Sequence, residues 1–162
     1  MLLQQTWMIS FLQGPKLFLF GSAGSFLQKD KYFWESLDRL PFYTYVNLGL
    51  EALDGSTLEL LRKPVSPGDM ATAFIRMLKI NNSYEHIEVT ANFLLSDMFP
   101  AGHILSLLKH TVAEHLGSHT GKGCIYMSPL KGKTNSKAIF NLFREIKYKS
   151  RMETFLYLIQ RL

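Results

Sequence analysis

Two stretches of the chain alternate between apolar and polar residues. From residue 42 to residue 50 and from residue 87 to residue 95, every second side chain is apolar or threonine. Successive side chains of a strand point to opposite faces of a sheet, so both stretches are predicted as strands with one polar face. Asp54-Gly55 follows the first stretch and favours a tight hairpin turn. We therefore expect residues 57–62 to return as a strand antiparallel to residues 42–50.

Apolar residues three and four positions apart predict the helices. One helix is expected from Ser66 through Lys79, one over residues 101–116, and one from Asn135 or Ser136 to the C-terminus. A helical turn before Pro41 and a short strand over residues 124–127 are also expected. Together these elements predict an α+β fold. It is a single domain over residues 1–162, with a mainly antiparallel sheet packed with about three to four helices and a long C-terminal helix.

The composition is that of a globular protein. The chain has 162 residues, of which 47% are hydrophobic and 19% charged, and its mean hydropathy is +0.03. A chain of this length buries enough surface to fold without a metal or a disulfide. Its single cysteine, Cys124, excludes a disulfide scaffold and the multi-cysteine zinc modules.

Positive charge is concentrated at the C-terminal end. The net charge is +5, but residues 1–119 carry −2 and residues 120–162 carry +7. A basic loop followed by a basic helix attracts polyanions such as nucleic acid or anionic lipid. The alternative is an ordinary solvated helix face. The candidate polyanion-binding residues are Lys131, Lys133, Lys137, Arg144, Lys147, Lys149 and Arg151.

The N-terminal residues are apolar and aromatic, and we expect them to form neither a signal peptide nor a spanning helix. They lack a basic start, and no unbroken apolar run reaches about 18 residues. The aromatic side chains of this end are expected either to pack into the core or to contact a membrane interface or a partner; they are Trp7, Phe11, Phe18 and Phe20. Residues 1–30 are thus expected to be mobile or to form an interface.

No catalytic motif is complete. His103 and His110 share a helix face with Glu114, so a three-ligand metal site is an alternative, yet the spacing is not that of His-Glu-x-x-His. Gly132-Lys133-Thr134 lacks the first glycine of a phosphate-binding loop. Cys124 beside His119 is either a thiol nucleophile with its base or a buried cysteine. We expect no enzyme, no cofactor and no metal.

One part of the sequence resembles a known family. Tyr43 to Leu53 as a strand and turn, a second strand, and Arg62-Lys63-Pro64-Val65-Ser66-Pro67 leading into a helix from Met70 to Leu78 resemble rhabdovirus matrix proteins, in particular the small ones of plant rhabdoviruses. The resemblance covers residues 42–95. The chain departs from the family in lacking a lysine-rich N-terminal tail and a Pro-Pro-x-Tyr motif.

The resemblance implies a structural or adaptor protein of the virion. Such a protein self-associates and contacts both the inner membrane leaflet and the ribonucleoprotein or its RNA. We expect the basic C-terminal residues to make those contacts. If the protein is viral, we expect it in virions and at membranes of the host cytoplasm. Otherwise we expect a soluble intracellular protein. Two alternatives remain: a viral accessory or movement-type protein that binds nucleic acid, and a small metal-dependent enzyme at His103, His110 and Glu114.

Overall fold

The computed structural model describes residues 14–113, 122–130, 136–149 and 156–159. In this part the strands are β1 (Lys16–Ser22), β2 (Tyr43–Glu51), β3 (Ile87–Leu95), β4 (Ile125–Pro129) and β5 (Leu156–Leu158). The helices are α1 (Ala23–Leu27), α2 (Lys31–Asp38), α3 (Gly55–Leu60), α4 (Pro67–Ser83), α5 (Ala101–Ala113) and α6 (Ser136–Lys149).

The strands form one sheet in the order β1-β2-β3-β4-β5, and every neighbouring pair is parallel. The prediction of a mainly antiparallel sheet is therefore wrong. The fold belongs to the α/β class, in which helices connect parallel strands, and six helices lie within the described ranges.

The predicted hairpin is replaced by a helix. The Asp54 side chain does not sit in a tight turn but accepts a hydrogen bond from the Thr57 N–H at 2.9 Å, which caps α3. The chain then runs through α4, which begins where the Ser66 hydroxyl accepts from the Asp69 N–H and Pro67 occupies the first turn. This α-helical crossover brings β3 back parallel to β2.

The C-terminal helix is shorter than predicted. It ends at Lys149, and Leu156–Leu158 is a strand paired with β4. The expected helix over residues 101–116 is present as Ala101–Ala113, and its predicted end at Gly117 lies outside the described residues. The expectation for Trp7 and Phe11 also falls outside them.

The helices pack against one face of the sheet. Parallel strands joined in sequential order by right-handed crossovers carry their connections on the same side. Accordingly, alternate strand residues such as Leu48, Leu50 and Phe93 are fully buried and form one core with Phe74 of α4 and Ile146 of α6.

The opposite face, here called the open face, carries the other half of each strand. Phe18 and Phe20 of β1 are 63% and 83% exposed, and Tyr157 of β5 is 46% exposed. In the part of the chain that the structure describes, no helix covers this face.

Candidate functional site

A cleft of about 620 Å³ lies on the open face at the carboxyl ends of the strands. In parallel α/β sheets this edge is where ligands bind, because the loops that follow the strands surround it. We call it the carboxyl-edge cleft, and its polar lining residues are Ser22, Asn47, Glu51, Lys63, Asn92 and Ser128.

Strand register brings these side chains together. Ser22 pairs with Gly49 and Gly49 with Asn92, so these positions of β1, β2 and β3 lie at one level of the sheet, and Ser128 of β4 lies opposite Leu94, two residues further along β3. Gly49 has no side chain to fill the space, and the nearest atom to a Cβ placed there is Oε1 of Glu51 at 3.7 Å. The missing side chain at Gly49 therefore leaves space between the side chains that line the cleft.

Glu51 is held in an unusual backbone conformation. Its φ is 66°, and the Ala52 N–H donates to the Leu50 carbonyl at 2.8 Å, which closes a three-residue turn about Glu51. A non-glycine residue in this region costs about 1–3 kcal/mol, and such strain clusters at functional sites. The turn is accompanied by a register shift between Gly49 and Glu51 that ends the regular pairing of β2 with β3.

Lys63 lies opposite Glu51. Its Nζ is 2.5 Å from Glu51 Oε1, and the two side chains are 34% and 22% exposed. Arg62, just before it, also has a positive φ of 53°, and the Lys63 N–H donates to the Leu58 carbonyl at 2.9 Å as α3 ends. Both charges of the pair therefore depend on backbone turns that place them in the cleft.

Asn92 and Ser128 supply neutral hydrogen-bonding groups. The Ser128 hydroxyl donates to the Asn92 Oδ1 at 2.5 Å. Because that oxygen is used as an acceptor, the Asn92 amide nitrogen remains as the donor of this side chain. The cleft thus offers the Glu51 carboxylate, the Lys63 ammonium group, an amide donor and a hydroxyl.

The open face next to the cleft is aromatic. A second cavity, of about 250 Å³, is lined by Phe18, Phe20, Tyr45 and Tyr126, and it shares Asn47 and Phe20 with the carboxyl-edge cleft. We call it the aromatic cavity. The rings of Phe18 and Tyr45 are stacked, with centroids 5.1 Å apart and planes 10° from parallel. Its walls suit a flat apolar group.

Burial and the Glu88 carboxylate raise the pKa values of neighbouring tyrosines at the amino-terminal end of the open face. The carboxylate accepts hydrogen bonds from the Tyr43 hydroxyl at 3.3 Å and the Gly123 N–H at 3.1 Å. Burial, followed by the charge of Glu88, raises the pKa of Tyr43 to about 12 and also raises the pKa of Tyr45.

Burial, followed by the charge of Glu88, also raises the pKa of the Cys124 thiol. The thiol therefore stays protonated, which argues against Cys124 as a nucleophile. His119, the base proposed for it, lies outside the described residues.

The predicted metal ligands are not brought together. His103 is fully buried, with its Nε2 at 2.7 Å from the Leu94 carbonyl. His110 is half-buried on α5, and Glu114 lies outside the described residues. Within the ranges that the structure describes, no group of three histidine, cysteine, aspartate or glutamate side chains is placed to hold a metal ion.

The described members of the predicted polyanion-binding set lie on one helix and do not line the carboxyl-edge cleft. Lys137, Arg144, Lys147 and Lys149 are on α6, whose Ile139 and Ile146 pack into the core. Lys131, Lys133 and Arg151 lie outside the described residues. None of the described helices is both long and apolar enough to cross a lipid bilayer.

Sequence reasoning missed the cleft itself. Its signal was the placement of Asn47, Glu51 and Asn92 toward the carboxyl ends of the two predicted strands. Those ends meet only if the strands are parallel, and an antiparallel arrangement separates them.

The fold and cleft thus define a parallel α/β protein with a polar cleft at the strand carboxyl ends. No family model matches the chain, and no curated protein matches it. Among solved structures, the chain is similar to the crystal structure of a radical SAM methyltransferase from Sphaerobacter thermophilus, at 17% sequence identity and a TM-score of 0.48. The match covers 79% of this chain and 37% of that chain, so the chain spans just over a third of the matched protein.

The comparison bears on one prediction. The similar structure is that of an enzyme, so the comparison does not support the expectation that this chain is not an enzyme, and that expectation is not carried further. The activity of the methyltransferase is not assigned to this chain. The resemblance to rhabdovirus matrix proteins stays a prediction, although the second strand on which it drew is helix α3.

Proposed function

We propose that the open face binds a small molecule that joins a flat ring to a hydroxyl-rich polar part, as a nucleoside does. The observation that carries this proposal is the continuity of two cavities of opposite character. The aromatic cavity and the carboxyl-edge cleft share Phe20 and Asn47, so one ligand of modest size reaches both.

The aromatic cavity favours the ring. Phe20 and Phe18 are 83% and 63% exposed on β1, so two neighbouring aromatic side chains of the cavity are accessible to a flat ring. Stacking of a heterocyclic base on an aromatic side chain contributes about 1–3 kcal/mol.

The cleft favours the polar part. A carboxylate at the carboxyl edge of a parallel sheet accepts hydrogen bonds from ribose hydroxyls in dinucleotide-binding proteins. Glu51 offers such a carboxylate, while the Asn92 amide and Ser128 hydroxyl offer further partners. The nearby Lys63 ammonium holds the Glu51 carboxylate in place through their ion pair.

Calorimetric titration with adenosine tests this, with ribose and adenine as separate ligands. We expect saturable binding of adenosine, and weaker binding of either part alone. Phe20→Ala and Asn92→Ala should each reduce adenosine affinity by about tenfold, as expected for loss of one stacking or hydrogen-bonding group. Phe140→Ala, an exposed aromatic residue of α6, is the matched control and should change nothing. Equal effects of Phe20→Ala and Phe140→Ala, or no binding by the folded protein, would contradict the proposal.

As a second candidate, we propose that α6 binds a polyanion. The support is that Lys137, Arg144 and Lys149 are exposed on one helix beside two exposed aromatic side chains, Phe140 at 47% and Tyr148 at 86%. The Arg144 guanidinium lies 5.9 Å from the Phe140 ring centroid. This role would fit the contacts with anionic membrane or ribonucleoprotein, and the self-association, that the matrix-protein resemblance implies.

Co-sedimentation with anionic and neutral vesicles, and with single-stranded RNA, over a salt series tests the second candidate. Replacing Lys137 and Arg144 with glutamine should weaken binding and flatten its salt dependence. Replacing Lys31 and Arg39 of the α2 region in the same way removes equal charge and serves as the control. Binding that is insensitive to the α6 substitutions would contradict this assignment.

A further inference from the structure

A buried histidine lies behind the carboxyl-edge cleft and takes no part in ligand binding as proposed above. His103, at the start of α5, is wholly buried, and its Nε2 lies 2.7 Å from the Leu94 carbonyl oxygen at the end of β3. A carbonyl oxygen only accepts hydrogen bonds. Nε2 therefore carries a proton and donates it to Leu94, which leaves Nδ1 as the variable nitrogen of the ring.

Nδ1 faces a carboxylate oxygen that also lacks a partner. It is 3.5 Å from Asp54 Oδ2, and both atoms are buried without a hydrogen-bond partner in the described part of the chain. The other Asp54 oxygen, Oδ1, caps α3 through the Thr57 N–H. A separation of 3.5 Å is longer than a charge-assisted hydrogen bond, which measures about 2.7–2.9 Å. In the neutral histidine, the Nδ1 lone pair faces the carboxylate with no proton between them.

We propose that the His103–Asp54 pair takes up one proton from solvent, bound at His103 Nδ1 and donated to Asp54 Oδ2, and that this proton regulates the position of the loop that carries Glu51. The pair is open when His103 is neutral. Protonation closes it and draws the Asp54 side chain toward α5. No covalent bond other than Nδ1–H forms.

The groups around the ring decide when the proton binds. Burial lowers the pKa of His103, while the Leu94 carbonyl and the Asp54 carboxylate act in the opposite direction. Asp54 is the charged group acting on His103 among the described residues, and the Phe99 ring meets the imidazole edge-on at 5.1 Å. The pair therefore closes below the ordinary histidine pKa of about 6.5.

The link from the pair to the cleft is short. Only Ala52 and Leu53 separate Asp54 from Glu51, and both are buried. A shift of Asp54 is therefore passed to the strained turn at Glu51 rather than absorbed by solvent-exposed loop. This last step, the regulation of the cleft, rests on the proposed function, whereas the proton uptake itself does not.

Amide NMR spectra recorded from about pH 7.5 to about pH 5.0 test the proton uptake, since this range spans the ordinary histidine pKa. We expect the Thr57 and Glu51 amide signals to move together, with one midpoint below the ordinary histidine value. His103→Gln keeps a donor for Leu94 but binds no proton, so the transition should vanish. His86→Gln removes a surface histidine that lies 3.8 Å from Asp38 and should leave the transition intact.

Asp54→Asn is the decisive variant. Asparagine is as good a helix cap as aspartate, and its amide can donate to His103 Nδ1 without a proton from solvent. The Thr57 and Glu51 signals of this variant should lie near their acid positions already at neutral pH and should not move. If the transition is absent from the unmodified protein, or persists in His103→Gln or Asp54→Asn, the proposal is overturned.

Adenosine binding across the same pH range separates the two proposals. Affinity that changes with the Thr57 midpoint and is constant in Asp54→Asn supports regulation of the cleft. Constant affinity in the unmodified protein refutes that regulation. An intact Thr57 transition with no adenosine binding at any pH refutes the proposed ligand and leaves the proton uptake standing.

Discussion

The side chain of Asn81 takes the place of a neighbouring strand for Val89. Its Nδ2 donates to the Val89 carbonyl at 2.9 Å, and its Oδ1 accepts from the Val89 N–H at 2.7 Å. Two residues further along β3, the Ala91 N–H donates to the Cys124 carbonyl beside β4. The helix α4 thus completes the hydrogen bonding of β3 at the point where β4 has not yet begun.

Replacing Asn81 should be costly. In Asn81→Ala, a buried N–H and a buried carbonyl of Val89 both lose their partners, and we expect a loss of about 2–4 kcal/mol in the free energy of unfolding. Urea denaturation measures it. Asn82→Ala, at the exposed neighbouring position of the same helix, is the control and should change stability by less than about 0.5 kcal/mol. Similar losses in both variants would show that the hydrogen bonds are not the cause.

Gly123 lies directly against the side chain of the same asparagine, Asn81. Its φ is 77°, and a Cβ there would stand 2.7 Å from the Val89 carbonyl oxygen and would also clash with the Asn81 amide. We expect Gly123→Ala to lose about 2–4 kcal/mol by thermal or urea unfolding, from backbone strain and the clash together. Gly24 lies in α1, and a Cβ placed there would have no atom of a packed neighbour within 4 Å. Gly24→Ala should therefore be neutral or should stabilise the fold by up to about 1 kcal/mol. A stable Gly123→Ala protein would contradict this account.

Several elements were predicted well from local patterns. The alternation over residues 87–95 matches β3, that over residues 42–50 matches β2 within a residue, and the cap at Ser66 begins α4 as expected. These signals depend on side chains a few positions apart. They are therefore present in the sequence whatever the rest of the chain does.

The orientation of the strands was predicted wrongly for a physical reason. Alternation indicates a strand with one polar face, which is typical of antiparallel sheets, because most parallel sheets are covered by helices on both faces. Here the helices cover one face only, so Asn47 and Asn92 alternate with Leu48 and Phe93 in a parallel sheet. Asp54 is likewise suited to a hairpin turn and to a helix cap, and the packing of Leu58 into the core selects the cap.

The phenol of Tyr43 should remain protonated at high pH. Its pKa is raised from 10.0 to about 12 by burial and by Glu88. A raised folded-state pKa stabilises the fold below the unfolded value, and this contribution is lost as the pH rises from about 10 through about 12. Ultraviolet absorbance of tyrosinate should show a late-titrating component that includes Tyr43 and also Tyr45 and Tyr126, whose pKa values are raised as well. Glu88→Gln should lower its midpoint, whereas Glu85→Gln, an exposed nearby residue, should not.

Glu51 should be needed for binding rather than for folding. Glycine adopts a positive φ without strain, so Glu51→Gly relieves the turn while it loses the ion pair with Lys63, and we expect a net stability change within about 1 kcal/mol. The same substitution at Glu59, in α3, should cost about 1 kcal/mol through helix propensity alone.

Adenosine titration separates the two glutamates further. Affinity should fall by about tenfold in Glu51→Gly, as for loss of one charged hydrogen-bonding group, and should be unchanged in Glu59→Gly. Undiminished binding by Glu51→Gly would remove the carboxylate from the proposed site.

The sequential strand order also bears on how the sheet is built. Each described strand pairs with the strand before it in the chain, so no described strand is inserted between two that are already paired. A chain that emerges from the ribosome N-terminus first can add each strand, with its helix, to an existing edge. Assembly of this kind closes one connection of moderate length at a time, and its speed depends on the helices that link the strands rather than on a search between distant ends.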